Sequence, residues 1–529
     1  MTRVWAALLA VGCGAAEERI LAPEIRLVDE TAELGLPLTA SLCLVARDLD
    51  GDTFPDLVLG KAGALVIARN RSGAGFDLDE ITLGDSGFVP GRCALGQLVG
   101  DARADLVVIE GGRDRSDWRL FEGTEGGGFV ERPGLLPAHG QGLSAVAVVD
   151  LHHDGRAEIV VAQLLGGPRQ GFGIAECRAN DDDFYCALAT SPTTLVRQYL
   201  WDGEGFHGMD VGHVEGIVQS IHVGDCNADH RPDLLYSVDF GHNVLHLNDG
   251  GSLKETLLDG DGMNHAMGIA FDDFDLDGTS ELFVADAGPT RIHEMSGGDF
   301  ESLRPQTAWA ATQHVSDATR YHFAWAPVSA DFDNDGDLDL LVPSAFEAQD
   351  YAELARYAAT LGAPDPEFRA PNDMLLVNRT LEGDSGVFES RQVSHRSPSV
   401  ISGALVSAAL DVDQDGRQDV VIIADVPTRE LRLLMNRTDT VGTGTSIRLL
   451  DAAGIELTWA HVLAFDQEGH YLGSRTIGTQ GLGHDDLGFH IGVPAGVSLN
   501  HLEVSLPGHE EIRLDGPFTE PEYRLPLQQ

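Results

Sequence analysis

Along this chain, short apolar runs recur after acidic stretches that usually carry a glycine. Leu57-Val58-Leu59, Leu282-Phe283-Val284, Leu340-Leu341-Val342 and Val420 to Ile423 are such runs. They are too short for helices and rich in strand formers, so they predict strands. Downstream comes a second apolar segment ending in a glycine or asparagine turn: Leu65 to Asn70, Trp118 to Gly123, Tyr199 to Gly203, Val244 to Gly250, Arg291 to Gly297, Met374 to Asn378 and Leu431 to Asn436. In most units a phenylalanine opens the next segment, at Phe76, Phe129, Phe206, Phe300 and Phe388. The pattern predicts about four strands per unit.

The acidic stretches share one spacing, D-x-D-x-D-G-x-x-D. Five copies are near complete: Asp48, Asp50, Asp52 and Asp56; Asp225, Asn227, Asp229 and Asp233; Asp273, Asp275, Asp277 and Glu281; Asp331, Asp333, Asp335 and Asp339; Asp411, Asp413, Asp415 and Asp419. Two more have decayed, one at Asp150, His152, Asp154, Gly155 and Glu158, the other at Gln97, Val99, Asp101 and Asp105. First positions therefore fall at 48, 97, 150, 225, 273, 331 and 411. Small sheets repeated this way bury their faces and protect their edges by radial packing, which predicts an all-β fold with a seven-bladed β-propeller. The last unit lacks a phenylalanine-led fourth strand after Asn436. Ile25 to Asp29 has that strand's character and is predicted to complete the last blade, joining the two ends of the ring.

Carboxylates at alternate positions and at position nine converge where the backbone turns sharply, and glycine at position six permits that turn. Hard oxygen ligands in this number suit calcium. The residues of the five near-complete copies are the predicted ligands, giving about five Ca2+ sites. An EF-hand would need glutamate at position twelve, where this chain has Leu59, Tyr236, Val284, Val342 and Ile422. Acidic turns can also be merely solvated, but repetition in register argues against that here. Thr53 and His230 stand where the other copies have glycine. The Asp101 loop is expected to be empty, since Gln97 and Val99 replace two carboxylates, and the Asp150 loop is left open. Calcium should act as a folding ligand.

At these residues the chain resembles FG-GAP and VCBS-type repeats of integrin α-chain propellers and secreted bacterial proteins. Met267 to Gly278 and Ala330 to Leu340 look similar to blades of the cartilage acidic protein (ASPIC/UnbV) group. That resemblance implies a propeller over residues 24–436 and a small C-terminal β domain over 440–529. Within the latter, Val462 to Asp466, Phe489 to Val493 and Leu502 to Gly508 look similar to the group's strands. Their alternating apolar pattern independently predicts a small β-sandwich.

Lys+Arg number 35 against 84 Asp+Glu, a net charge of -49. That excludes a nucleic-acid groove, which must neutralise phosphates. No stretch approaches the roughly 18 apolar residues of a membrane-spanning helix. Residues 1–16 read as an export signal in which Ala10-Val11-Gly12-Cys13 resembles a bacterial lipobox, a resemblance that implies Cys13 as lipidation site and lipid anchor; cleavage after Ala15 or Ala16 is the alternative. Both imply a secreted or cell-surface protein. Cys177 and Cys186 bracket a polar loop and are an expected disulfide. Cys43 and Cys93 occupy similar points in successive repeats, which leaves their pairing open. Insertions lengthen the units starting at 150 and 331, and Glu347 to Thr360 suggests a short helix.

No catalytic residue is assigned, because hydrolase signatures are absent. The leading expectation is a monomeric, non-catalytic, calcium-binding surface propeller recognising an extracellular protein or glycan. The alternative is a propeller enzyme, a polysaccharide lyase or hydrolase, built on carboxylates and on converging histidines among His207, His213, His222, His242, His246 and His265. A structural subunit of an envelope assembly is the third reading.

Overall fold

The computed structural model describes residues 24–84, 87–100, 103–111, 117–138, 142–165, 193–257, 264–286, 290–293, 324–344, 373–381, 388–393, 404–424, 429–439, 442–452, 454–478, 483 and 485–527. Cys13, Asp101, Cys177, Cys186, Phe300 and the segment 347–360 lie outside them.

Strand β1 (Leu27–Asp29) precedes a sheet of β2 (Ser41–Arg47), β3 (Asp56–Lys61), β4 (Ala64–Asn70) and β5 (Phe76–Thr82), paired in chain order. The same antiparallel plan recurs in β6 (Pro90–Gly96), β7 (Asp105–Glu110), β8 (Trp118–Gly123) and β9 (Phe129–Glu131), and in β10 (Leu143–Val149), β11 (Glu158–Leu165), β12 (Thr193–Trp201) and β13 (Phe206–Glu215). Next come β14 (Ile217–Gly224), β15 (Asp233–Gly241), β16 (Val244–Asp249) and β17 (Ser252–Leu257). They are joined to β18 (Asn264–Asp272), β19 (Glu281–Asp286) and β20 (Arg291–His293) because β18 pairs with the end of β15. Then follow β21 (Val328–Ala330), β22 (Asp339–Val342), β23 (Asp373–Asn378) and β24 (Phe388–Val393), and finally β25 (Ala404–Leu410), β26 (Asp419–Ala424) and β27 (Leu431–Asn436).

The fold is all-β, made of small antiparallel sheets of the kind that form propeller blades. Phe76, Phe129, Phe206 and Phe388 open outer strands, as the pattern predicts. The residues at position twelve of the acidic loops lie buried inside β3, β15, β19, β22 and β26, so the EF-hand is excluded by structure as well as by sequence.

Successive sheets share apolar cores. Val45 and Val58 pack with Leu95 and Leu106, Ile109 and Leu120 with Val148 and Ile159, and Leu44 and Leu57 with Val406, Val421 and Leu433. That last cluster joins the first sheet to the sheet of β25–β27. The innermost strands touch in a closed circuit, β2 to β6, β10, β14, β18, β21, β25 and back to β2. β1 completes the final sheet, with Leu27, Val28 and Asp29 opposite Asn436, Met435 and Leu434 of β27. Arg437 adds ion pairs to Glu30 at 2.8 Å and 2.9 Å. A disulfide ties β2 to β6 through Cys43 and Cys93, whose Cα atoms are 5.1 Å apart, which settles a pairing the sequence left open. Cys226 is a buried free thiol.

Beyond β27 lie β28 (Thr443–Leu450), β29 (Ala460–Asp466), β30 (Tyr471–Ile477), β31 (Phe489–Val493), β32 (Leu499–Ser505), β33 (Ile512–Phe518) and β34 (Glu522–Pro526). They form two sheets, β31-β28-β34 and β30-β29-β32-β33. Ile447, Val462, Ile491 and Leu502 fill a core built from these strands and the loops between them. Among the described residues no helix is long and apolar enough to cross a membrane.

Candidate metal centre

Each acidic loop leaves the end of an innermost strand and re-enters at the first residue of the second. Its first carboxylate organises the turn. Asp48, Asp150, Asp225, Asp273, Asp331 and Asp411 accept the position-six N–H through Oδ2 at 2.8–3.1 Å. Positions four and six are left-handed, at φ +57° for Asn334 and +110° for Gly336. Thr53 and His230 adopt the same conformation at +83° and +66° without being glycine, a strained state for a side chain with a Cβ.

The turn brings together all four of the expected acids in one loop and three of the four in three others. Asp273, Asp275, Asp277 and Glu281 each place one oxygen within 4.8 Å of the others, as do Asp48, Asp50 and Asp56, Asp331, Asp333 and Asp339, and Asp411, Asp413 and Asp419. Asp52, Asp335 and Asp415 stand outside those sets; Asp415 pairs with Arg417. Among the described residues the Asp225 loop gathers no such group, and Asn227 Nδ2 instead donates to Asp229 at 3.1 Å. In the Asp150 loop, Glu158 Oε1 lies 2.8 Å from His152.

Burial makes the acids at positions one and nine of these four loops poor anions. Loss of water is the largest cause there, pushing Asp273 up to about 6, Asp56 to about 7, and Asp411 to about 8. It also carries Glu281, Asp331, Asp339 and Asp419 well above the usual range, with neighbouring carboxylates adding to the push. Glu281 is fully buried and its Oε1 meets no hydrogen-bond partner. An orphaned carboxylate oxygen costs free energy, and here it belongs to a set of converging hard oxygens. A calcium ion fits that donor set.

Position nine has a second role that the spacing did not reveal. Its carboxylate accepts the position-two N–H at 2.7–3.1 Å in all seven loops. In five it also accepts the N–H of the last or next-to-last residue of the third strand, at 2.6–2.9 Å. Four of those residues are asparagines whose side-chain amides cross to the preceding sheet's loop. Asn70 donates to Val412 O at 2.9 Å, Asn248 to Leu151 O at 3.0 Å, Asn378 to Phe274 O at 2.7 Å, and Asn436 to Phe332 O at 2.8 Å. Asn70, Asn378 and Asn436 head glycosylation-like triplets, but their burial and these bonds make them structural turn residues, as the repeated pattern suggested.

The C-terminal sheets reach the same loops. Arg524 Nη2 lies 2.9 Å from Asp48 Oδ2, and the Tyr471 hydroxyl donates to Asp273 Oδ2. β31 crosses so close to Asp331 that any side chain at Gly492 would collide with Oδ2. No local motif announces these contacts, because the partners lie hundreds of residues apart in the chain.

Among the described side chains the candidate histidines do not assemble. His207 pairs with Asp202 at 2.8 Å on the surface, buried His246 contacts the Tyr236 hydroxyl at 2.9 Å, and desolvation holds buried His222 down to about 4. Among the described residues none of His207, His213, His222, His242 and His246 enters a group of three metal-ligating side chains. The side chain of His265 lies outside the description. Asp466, Glu468 and His470 form a further acidic group, but its members close a turn on one another, with Asp466 Oδ1 accepting two backbone N–H groups at 2.7 Å and 2.8 Å.

The chain carries matches to an FG-GAP-like repeat family at residues 97–161 and 273–342. No curated protein matches it. Among solved structures it is similar to an Agrocybe aegerita lectin described as specifically recognising non-reducing terminal N-acetylglucosamine. Identity is 13%, coverage 74% of this chain and 93% of the lectin, and the TM-score 0.39.

Proposed function

We propose that residues 24–436 form a seven-bladed, calcium-stabilised propeller, that 440–529 form a C-terminal β domain, and that the protein serves non-catalytic recognition of a protein or glycan outside the cytoplasm. The single observation carrying the calcium reading is the Asp273 loop, where four acidic side chains converge and a fully buried Glu281 oxygen has no partner. The ligands in this reading are the carboxylates predicted from spacing, with position nine serving both ion and strand. The closed circuit of inner strands supports the ring. FG-GAP-like repeats, typical of extracellular proteins, support the location and the recognition role. The test has two arms. Calorimetry with calcium should give saturable binding heat that magnesium reproduces only weakly, and a glycan and protein array probed in calcium and in chelator should show calcium-dependent capture. Absence of binding heat would refute the metal reading; capture indifferent to calcium would detach recognition from it.

A further inference from the structure

The C-terminal sheets touch the acidic loops at repeated positions. Arg524, Tyr471 and Gly492 meet the first carboxylate of three loops. Position-six carbonyls take the rest: Arg448 reaches Thr53 O at 3.4 Å, Trp459 Nε1 donates to His230 O at 3.1 Å, and His490 Nε2 donates to Gly416 O at 3.1 Å. Next to these contacts, Asp485 accepts the Ala409 N–H at 2.7 Å. Asp485 and Leu487 also line a cavity with residues of β2, β6 and β10, so the C-terminal sheets cover the ends of the inner strands.

Such docking removes water from charge that it cancels only in part, since Arg475 of β30 lines one cavity with Asp331. Asp331 and Asp339 are buried, and with Asp333 they crowd three carboxylates within 4.8 Å. Laying neutral backbone over an anionic cluster is unfavourable, and a divalent cation in the cluster removes that obstacle. We infer that calcium in the acidic loops and docking of the C-terminal sheets are thermodynamically linked, so that removing the ions releases those sheets and uncovers the inner strand ends while the ring stays folded. This inference rests on the calcium reading above. Linkage is reciprocal, so docking must also tighten calcium binding. Arg524 supplies its own positive charge at Asp48, so that contact outlasts the others when calcium leaves.

Hydrogen exchange on the full chain, with calorimetry on the same sample, tests this. Chelation should speed exchange at Phe489–Val493 and at the Ala409 amide by about tenfold or more, while Asp419–Ala424 in β26 stay protected. Calcium heat with unchanged exchange at Phe489–Val493 would overturn the linkage and leave the calcium reading standing. Loss of protection in β26 and β31 together would overturn the separate release. Absence of calcium heat would remove both readings. Tyr471→Phe deletes one grip without deleting a carboxylate, and should weaken calcium binding about threefold; unchanged affinity would contradict reciprocity.

Discussion

The loops at Asp105 and at Glu281 occupy equivalent places in their sheets and end in equally buried acids, yet they have been put to different uses. Asp105 accepts Leu98 N at 3.0 Å, Val99 N at 2.7 Å and Gly123 N at 2.9 Å, and its loop carries Leu98 and Val99 down into an apolar core. Glu281 accepts only Phe274 N, at 2.7 Å, and turns its other oxygen toward Asp273, Asp275 and Asp277. The position-nine acid is therefore kept for architecture even where positions one and three offer no carboxylate. Positions one and three, which join position nine in all four gathered sets, decide whether a loop can also hold an ion.

Chelation should have the largest effect. Each loop held at a hundredfold excess over Kd would lose about 3 kcal/mol, seen as a drop in Tm while the ring remains folded at ambient temperature. Asp105→Ala comes next, because three buried N–H groups lose their acceptor. It should cost about 3 to 6 kcal/mol equally with and without calcium, read by denaturant unfolding in both conditions. A penalty that calcium changes would place an ion in the loop expected to be empty.

The Asp105 carboxyl also gives a pH signature. Burial pushes it up to about 6 from 3.8, against the backbone N–H bonds that lower it. A raised carboxyl stabilises the fold fully below about pH 4 and loses that contribution as pH rises through about 6, an effect of about 3 kcal/mol. Wild type should lose stability relative to Asp105→Asn across that window, and parallel profiles would contradict the assignment. Thr53→Gly is the smallest effect, a gain of about 1 kcal/mol from relieving a left-handed β-branched residue, measurable as a small rise in Tm.

Strand order and loop placement were legible in the sequence because both obey short local periods. The joining of Leu27–Asp29 to β27 was also legible, since the last unit visibly lacked a strand. The Asp225 loop lacks only the position-three carboxylate: Asn227 Oδ1 accepts the Asp229 N–H at 3.1 Å, as Asp275 Oδ1 accepts the Asp277 N–H at 3.1 Å. Cross-sheet bonds such as Asn70 to Val412, and the reach of Arg524 to Asp48, depend on which sheets become neighbours. No local pattern carries that information. The insertions and the Cys177–Cys186 pair lie outside the described residues.

Metal analysis of the full chain after dialysis against trace calcium decides whether the acidic loops hold ions. About four ions per chain should be retained, one fewer in Asp275→Ala, with no change in Asp105→Asn. Protein that retains no calcium, or an Asp275→Ala variant that retains as much as wild type, would contradict the calcium reading.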